Sequence, residues 1–293
     1  ITDEDQAFYE KMGVPMPTLC PEERMRRRLA FRNERHLYHR KCDITGRPLV
    51  SYISSDKPYK VFDQKEWWGD KNDPLAYGRD FDFSRPFFEQ FNELLLATPF
   101  PHVISSSDVQ ESNCLYTNFA GNNKNCYLIF DSDFNEDCQY SNVLKHSKNC
   151  LDCSYVSQSE LLYECVDCHS CYNLEYSQDC SECFDSWFLK NCIACKNCIG
   201  CVNLRQKEFC IFNKQYSKEE YEKFLQENDL GDRKFIQHLR KLFDEHVATF
   251  PVKYNHSILA ENSTGDYLKN VQNVFDSFNM GICRDCRYCD SLY

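Results

Sequence analysis

Twenty of the 293 residues are cysteine, and fifteen of them fall between Cys114 and Cys210. A thiol can ligate a soft metal, pair as a disulfide, or pack as a small, weakly polar group. Spacing separates these uses. Cys114, Cys126, Cys138 and Cys150 stand twelve apart, as do Cys153 and Cys165, Cys168 and Cys180, Cys183 and Cys195, and Cys198 and Cys210. Where the register shifts, it shifts by three. That shift produces the triple Cys165, Cys168, Cys171 and the run Cys192, Cys195, Cys198, Cys201. The run is the candidate metal site, for zinc or an iron–sulfur cluster. It departs from the bacterial ferredoxin pattern in its last gap and lacks the following proline. The period also already dictates where these thiols stand, which weakens them as a metal signal. The leading reading is therefore a reduced structural ladder, without cofactor, built from Cys114, Cys126, Cys138, Cys150, Cys153, Cys165, Cys168, Cys180, Cys183 and Cys210. A disulfide ladder in an extracellular structural protein is the other alternative.

A fixed period demands a repeating backbone. Twelve residues are too few for a helical hairpin and enough for short strands joined by tight turns. Nine of the fifteen cysteines follow Asn or Asp, the residues that tolerate left-handed corners. Stacked coils would set each thiol beside the thiol one coil away. The fold class expected is α+β: a short-coil, cysteine-rich β-solenoid with a mixed helical and strand N-terminal region and an inserted αα-hairpin. A coil of twelve residues, or one of about 24 with three-residue insertions, satisfies the spacing equally.

The flanking elements must hold this repeat. Thr2 and Asp5 form a capping box ahead of a helix through Lys11. Pro21 opens a second helix, Glu22 to about Lys41, in a segment (residues 21–41) with eight Lys/Arg against three Glu. Arg24, Arg26, Arg27, Arg28, Arg32, Arg35, Arg40 and Lys41 are its candidate contact residues, for RNA phosphates or a protein partner. A dock for the chain's own repeat competes, because residues 108–210 carry fifteen Asp/Glu against seven Lys/Arg. Cys20 and Cys42 bracket this segment singly, whereas a zinc ribbon needs two CxxC knuckles. Residues 48–63 read as two short strands about a turn at Ser55–Pro58. Trp67 and Trp68 read as a packing anchor. Ser84 is expected to cap a third helix that covers the first coil, burying Phe87, Phe88, Phe91, Leu94 and Leu95.

Beyond Cys210, Ser217 and Glu220 form a second capping box. A further helix, about Arg233 to His246, shows an apolar face of Phe235, Leu239, Leu242 and Phe243. The repeat then returns: KNVQNVFDS at 269–277 parallels KNCYLIFDS at 124–132, with Val271 in the place of Cys126. The domains expected are residues 1–100, a helical and strand cap region; 101–212, the repeat; 213–250, the αα-hairpin; and 251–293, the resumed repeat. Ile1 is not Met and the last coil is short, so the native chain is expected to extend past both ends.

No nucleophile–base pair, Gly-rich phosphate loop, HExxH or Walker pattern is present. No catalytic residue is assigned, a non-enzymatic chain is expected, and no small-molecule substrate is indicated. No apolar stretch is long enough to span a membrane. A net charge of −11 makes the chain as a whole repel nucleic acid, so an RNA contact needs the local arginine patch. The segments FYEKMGVPMPTLCPEERMRRRLAFRNERHLYHRKCD, WWGD, YGRDFDFSRPFFEQF and FNKQYSKEEY, with the NC and DC repeats, resemble uncharacterised cysteine-rich repeat proteins of metagenomic candidate-phylum bacteria, over nearly the whole chain. The resemblance implies a zinc-ribbon-like N-terminal segment with a CPxCR knuckle. This chain has Cys20-Pro21-Glu22-Glu23-Arg24 there, with Glu23 in the second ligand position. The reading is a cytoplasmic scaffold or binding protein: a rigid acidic solenoid with a basic helix that contacts RNA or a protein partner in a larger assembly.

Overall fold

One backbone choice, repeated, organises the centre of the chain. From Asn113 to Phe212 every third residue has φ between 46° and 67°. Left-handed backbone costs most L-residues about 1–2 kcal/mol, and least for Asn and Asp. All nine Asn or Asp residues that precede a cysteine here, from Asn113 to Asn197, take this conformation. Each left-handed residue turns the chain, and from Asn125 to Gly200 the residue after it points into the core. Cys126, Ile129, Ser132, Asn135 and Cys138 are all buried, and the pattern runs on to Cys201.

The computed structural model describes residues 2–70, 72–105 and 113–292. They form a mixed α+β fold that divides into two compact units, residues 34–250 and residues 1–33 with 251–293.

In the first unit a mostly parallel sheet runs from Asn118–Gly121 to Glu208–Ile211. Its register is uniform. Glu160 pairs with Lys148 on one side and Tyr172 on the other, and Cys168 pairs with Cys180. Each segment therefore lies against the segment twelve residues on, and the length of about 24 is excluded. Among the described residues of this unit no three-residue insertion interrupts the register. A layer of twelve residues is four triplets, so a shift of three moves a cysteine to the next inward position of the same layer.

From Cys126 to Cys195 each layer holds four inward side chains. Between Cys126 and Cys195 every layer has one large aliphatic, in order Ile129, Leu144, Val156, Leu162, Leu174 and Leu189, all buried. The other three are Cys, Ser or Asn. Small groups are needed because four side chains share a narrow core, and polar ones because the corners aim backbone groups inward. Cys126 Sγ donates to Lys124 O at 3.3 Å, and Ser132 Oγ donates to Phe130 O at 2.7 Å. The amide twelve residues on then donates back: Leu144 N to Ser132 Oγ at 3.1 Å, Cys153 N to Ser141 Oγ at 3.0 Å. An unmet buried amide would cost about 1–3 kcal/mol.

Each end of this sheet is partly covered among the described residues. Ala120 N donates to Ile104 O, and Ile104 N to Asn118 Oδ1. At the far end Lys214–Gln215 folds back antiparallel on Glu208–Ile211. Such cover shortens the open ladder that invites aggregation. The helical hairpin then packs on the outside. Its helices are Lys218–Glu227, with the Ser217–Glu220 capping box, and Arg233–Val247, N-capped by Asp232. Ile236, Leu239 and Phe243 bury against Phe188, Ile199 and Ile211. Leu242, expected on the buried face, is 38% exposed.

Other expectations in this unit fail as well. Tyr38–Lys41 is a strand paired antiparallel with Pro48–Ser51, not the end of the arginine helix. Gly46, at φ 71°, lets the chain turn between them, and pairing overrides helix propensity. Phe87–Ala97 is a helix, but Pro86 occupies the N-cap and Ser84 bonds Asp82 instead. Phe87, Phe88 and Phe91 are exposed rather than buried; Phe87 stacks on Phe91 at 5.8 Å and meets Phe88 edge to face. Of the tryptophan pair, Trp67 is half-buried and donates to Pro99 O at 3.0 Å, while Trp68 is exposed.

The second unit repeats the scheme around Leu268, Val271, Val274, Met280 and Cys283. Leu268 pairs with Met280 and Val274 with Cys286, again twelve apart. Ala260 pairs with Val271, eleven apart, and the chain recovers register at Gly265. A Cβ there would lie 1.8 Å from Ser277 O, so only glycine fits. Helices Asp3–Met12, opened by the expected Thr2–Asp5 capping box, and Pro21–Leu29 complete this unit.

Candidate functional surfaces

The arginine helix ends at Leu29, so its contact residues divide between the units. Arg24, Arg26, Arg27, Arg28 and Arg32 belong to one, Arg35, Arg40 and Lys41 to the other. Arg24 bonds the Tyr9 hydroxyl and lies 5.1 Å from the Tyr288 ring centre. Arg28 donates to Tyr288 O at 3.3 Å. Both serve the packing of their own unit. Arg26 and Arg27 are exposed, each paired with Glu23 at 2.8 and 3.4 Å. Arg40 is buried and donates to Ile53 O, Ser54 O and Tyr59 O, with Asp43 as its ion pair, so it staples a loop. Arg35 and Lys41 are exposed.

Asp5 is a buried carboxylate of the smaller unit. It accepts from Arg287 Nη1 at 2.7 Å, Tyr288 Oη at 2.8 Å and Thr2 N at 3.0 Å. Burial works to raise its carboxyl, but the Thr2 amide, the Tyr288 hydroxyl and Arg287 outweigh it and hold the pKa at about 2.

Every ladder cysteine predicted from the spacing is inward. Cys126, Cys138, Cys150, Cys153, Cys165, Cys168, Cys180, Cys183 and Cys210 are buried, and Cys114, in the first layer, is half-buried. Cys171 joins them, as do Ser132, Ser141, Ser147, Ser159, Ser177, Ser186, Asn123 and Asn135, which the cysteine spacing did not reveal. A search at period three would have found them. Among the described residues no two cysteines are joined as a disulfide.

Cys192, Cys195, Cys198 and Cys201 are fully buried at four successive inward positions across two layers. Their thiols are occupied: Cys192 and Cys201 donate to Lys190 O and Ile199 O, and Asn213 N donates to Cys201 at 3.4 Å. Burial pushes the thiols of Cys165 and Cys180 well up, keeping them protonated. Among the described residues no three His, Cys, Asp or Glu side chains are arranged to hold a metal ion. The zinc-ribbon-like segment fits zinc no better. Glu23 is bound by Arg26 and Arg27, and Cys20 stands at the N-cap position of Pro21–Leu29 with no side-chain cap bond. Burial works to raise the Cys42 thiol, but the Thr45 hydroxyl and the Asp63 amide outweigh it and hold the thiol below its usual range.

Outward residues stack in register as well. Asn113 donates to Asn125 and Asn125 to Asp137, while Lys124 and Lys148 both pair with Glu136. Tyr127 lies 5.7 Å from Tyr116 and 5.5 Å from Tyr140. Further along, Arg240 of the hairpin sits over Tyr176 at 4.9 Å and pairs with Glu164 at 2.6 Å.

No family model matches the chain, and no curated protein matches it. Among the described residues no helix is long and apolar enough to cross a membrane.

Proposed function

We propose that the parallel layers are the coils of a cysteine-rich β-solenoid and that the chain is a non-enzymatic scaffold that binds a partner. The saturation of the core carries this reading. Buried thiols, hydroxyls and amides exchange hydrogen bonds with the backbone in layer after layer, as at Cys126, Ser132, Asn135 and Cys201. A group so engaged stabilises structure, and none is poised for reaction. The outer surface is where variation lies, in ladders of Tyr, Asn, Lys and acidic side chains. Rigid stacks of this kind present extended surfaces to partners.

Whole-protein metal analysis with a visible absorption spectrum tests the scaffold reading. Zinc or iron near one per chain would replace it with the metal-binding alternative, centred on Cys192, Cys195, Cys198 and Cys201. A nucleic-acid partner is the second reading, favoured by the exposure of Arg26 and Arg27. RNA binding through them should fall steeply with salt and weaken in an Arg26→Ala/Arg27→Ala double variant. An absence of RNA binding at low salt removes that partner and leaves a protein one.

A further inference from the structure

The hairpin covers only part of an outward column, and the uncovered part presents the same chemistry in reverse order. The column is continuous: Leu128, Asp152, Glu164, Tyr176, Phe188 and Phe212 each donate their amide to the carbonyl thirteen residues back. Successive members therefore stand one strand spacing apart, about 4.8 Å. Read upward from Glu164, the covered half is acid, Tyr176, Phe188, Gly200, Phe212. The helix Arg233–Val247 reads it with Arg240 on Glu164 and Tyr176, and with Phe243 on Phe188 at 5.6 Å. Read downward from Asp152, the other half is acid, Tyr140, Leu128, Tyr116. Tyr140 is 52% and Tyr116 39% exposed. Asp152 is exposed, and among the described residues it has no ion-pair partner. Leu115, 57% exposed, widens the apolar strip.

We propose that the Tyr116–Asp152 strip is a docking surface for an amphipathic helix of a partner protein, one that carries an arginine about one turn from an aromatic or aliphatic residue and lies in the direction opposite to the chain's own helix. The inference rests on the scaffold reading and names the surface it uses. Two observations select this occupant. The strip continues an interface that this fold already fills with such a helix. The charge of the repeat is complementary, since residues 108–210 carry fifteen acidic against seven basic side chains. Arg on Asp152 would supply orientation, and the tyrosines the buried area.

The probe is a fluorescein-labelled peptide of residues 232–250 of this chain, titrated by anisotropy against the full protein. Saturable binding is expected. Tyr140→Ala should weaken it about tenfold or more, and Asp152→Asn about threefold with a flatter salt dependence. Tyr155→Ala, in a different column, should leave it unchanged, and thermal melts confirm that all variants fold. No saturable binding, or binding indifferent to Tyr140→Ala, overturns the proposal, because the peptide would then be exchanging at the covered site. Saturable binding of chitohexaose that is lost with Tyr140→Ala would assign the strip to a glycan instead. A dimer in sedimentation equilibrium that dissociates with Tyr140→Ala would assign it to a second copy. Metal content of the same sample keeps the two readings apart. A metal-free protein that ignores the peptide loses this surface and keeps the scaffold.

Discussion

A residue in this chain is judged by its place in a triplet. Ile282 is β-branched, 82% exposed and held at φ 54°. Asn270, twelve residues earlier, is the residue that this backbone prefers. Ile282→Asn should raise stability by ~1 kcal/mol in urea unfolding, against the usual direction of point substitutions. An unchanged or lowered midpoint would show that the corner costs nothing. Inward positions obey the opposite logic. Cys153 shares its layer with Val156, so Cys153→Leu puts two large groups where one fits and should cost ~1–3 kcal/mol. Cys153→Ser keeps the donor and acceptor and should cost less. Asp5 links stability to pH. Its folded pKa lies below its unfolded value of about 3.9, so its contribution is complete above pH ~4 and is lost as pH falls toward about 2. Asp5→Asn should remove that acid-side dependence, roughly 2 kcal/mol by the size of the shift, from a pH series of melts.

Elements fold here for two distinct reasons. The terminal helix of the sequence and the hairpin helices follow local signals, since the capping boxes at Thr2–Asp5 and Ser217–Glu220 were legible and are formed. Packing does the rest for the hairpin. Phe243→Ala should cost ~3 kcal/mol and release the hairpin from the sheet, seen as raised hydrogen exchange over residues 218–247 while the inward amides stay protected. Loss of protection throughout would mean that the layers depend on the hairpin. The arginine segment shows the limit of local reading. The helix ends at Leu29 without a Gly or Pro to stop it, and Tyr38–Lys41, expected in the same helix, pairs instead with Pro48–Ser51.

For the whole molecule, thiol reactivity reports on the architecture. Cys20 is exposed, Cys114, Cys286 and Cys289 are half-buried, and the other sixteen are buried. With a coloured thiol reagent the native protein should react quickly at Cys20, slowly at the half-buried three, and at the rest only on unfolding. Rapid reaction of most thiols would contradict a closed core. The twelve-residue spacing, the Asn and Asp corners and the return of the repeat at 269–277 were readable because identical layers impose identical demands on side chains. The period of three was hidden, since half of the inward positions are Ser, Asn or aliphatic and carry no signature as distinctive as cysteine.

Composition and spacing alone determined that thiols would lie above one another every twelve residues, because a backbone that pairs with itself at constant register must repeat its chemistry. The tertiary structure alone decided the rest. It turned Arg24, Arg28 and Arg40 onto the protein itself, left Phe87 and Phe88 in solvent, and made four inward positions of each layer. Those outcomes depend on which distant segments meet, and a burial or a hydrogen bond between residues far apart in the chain has no local sign.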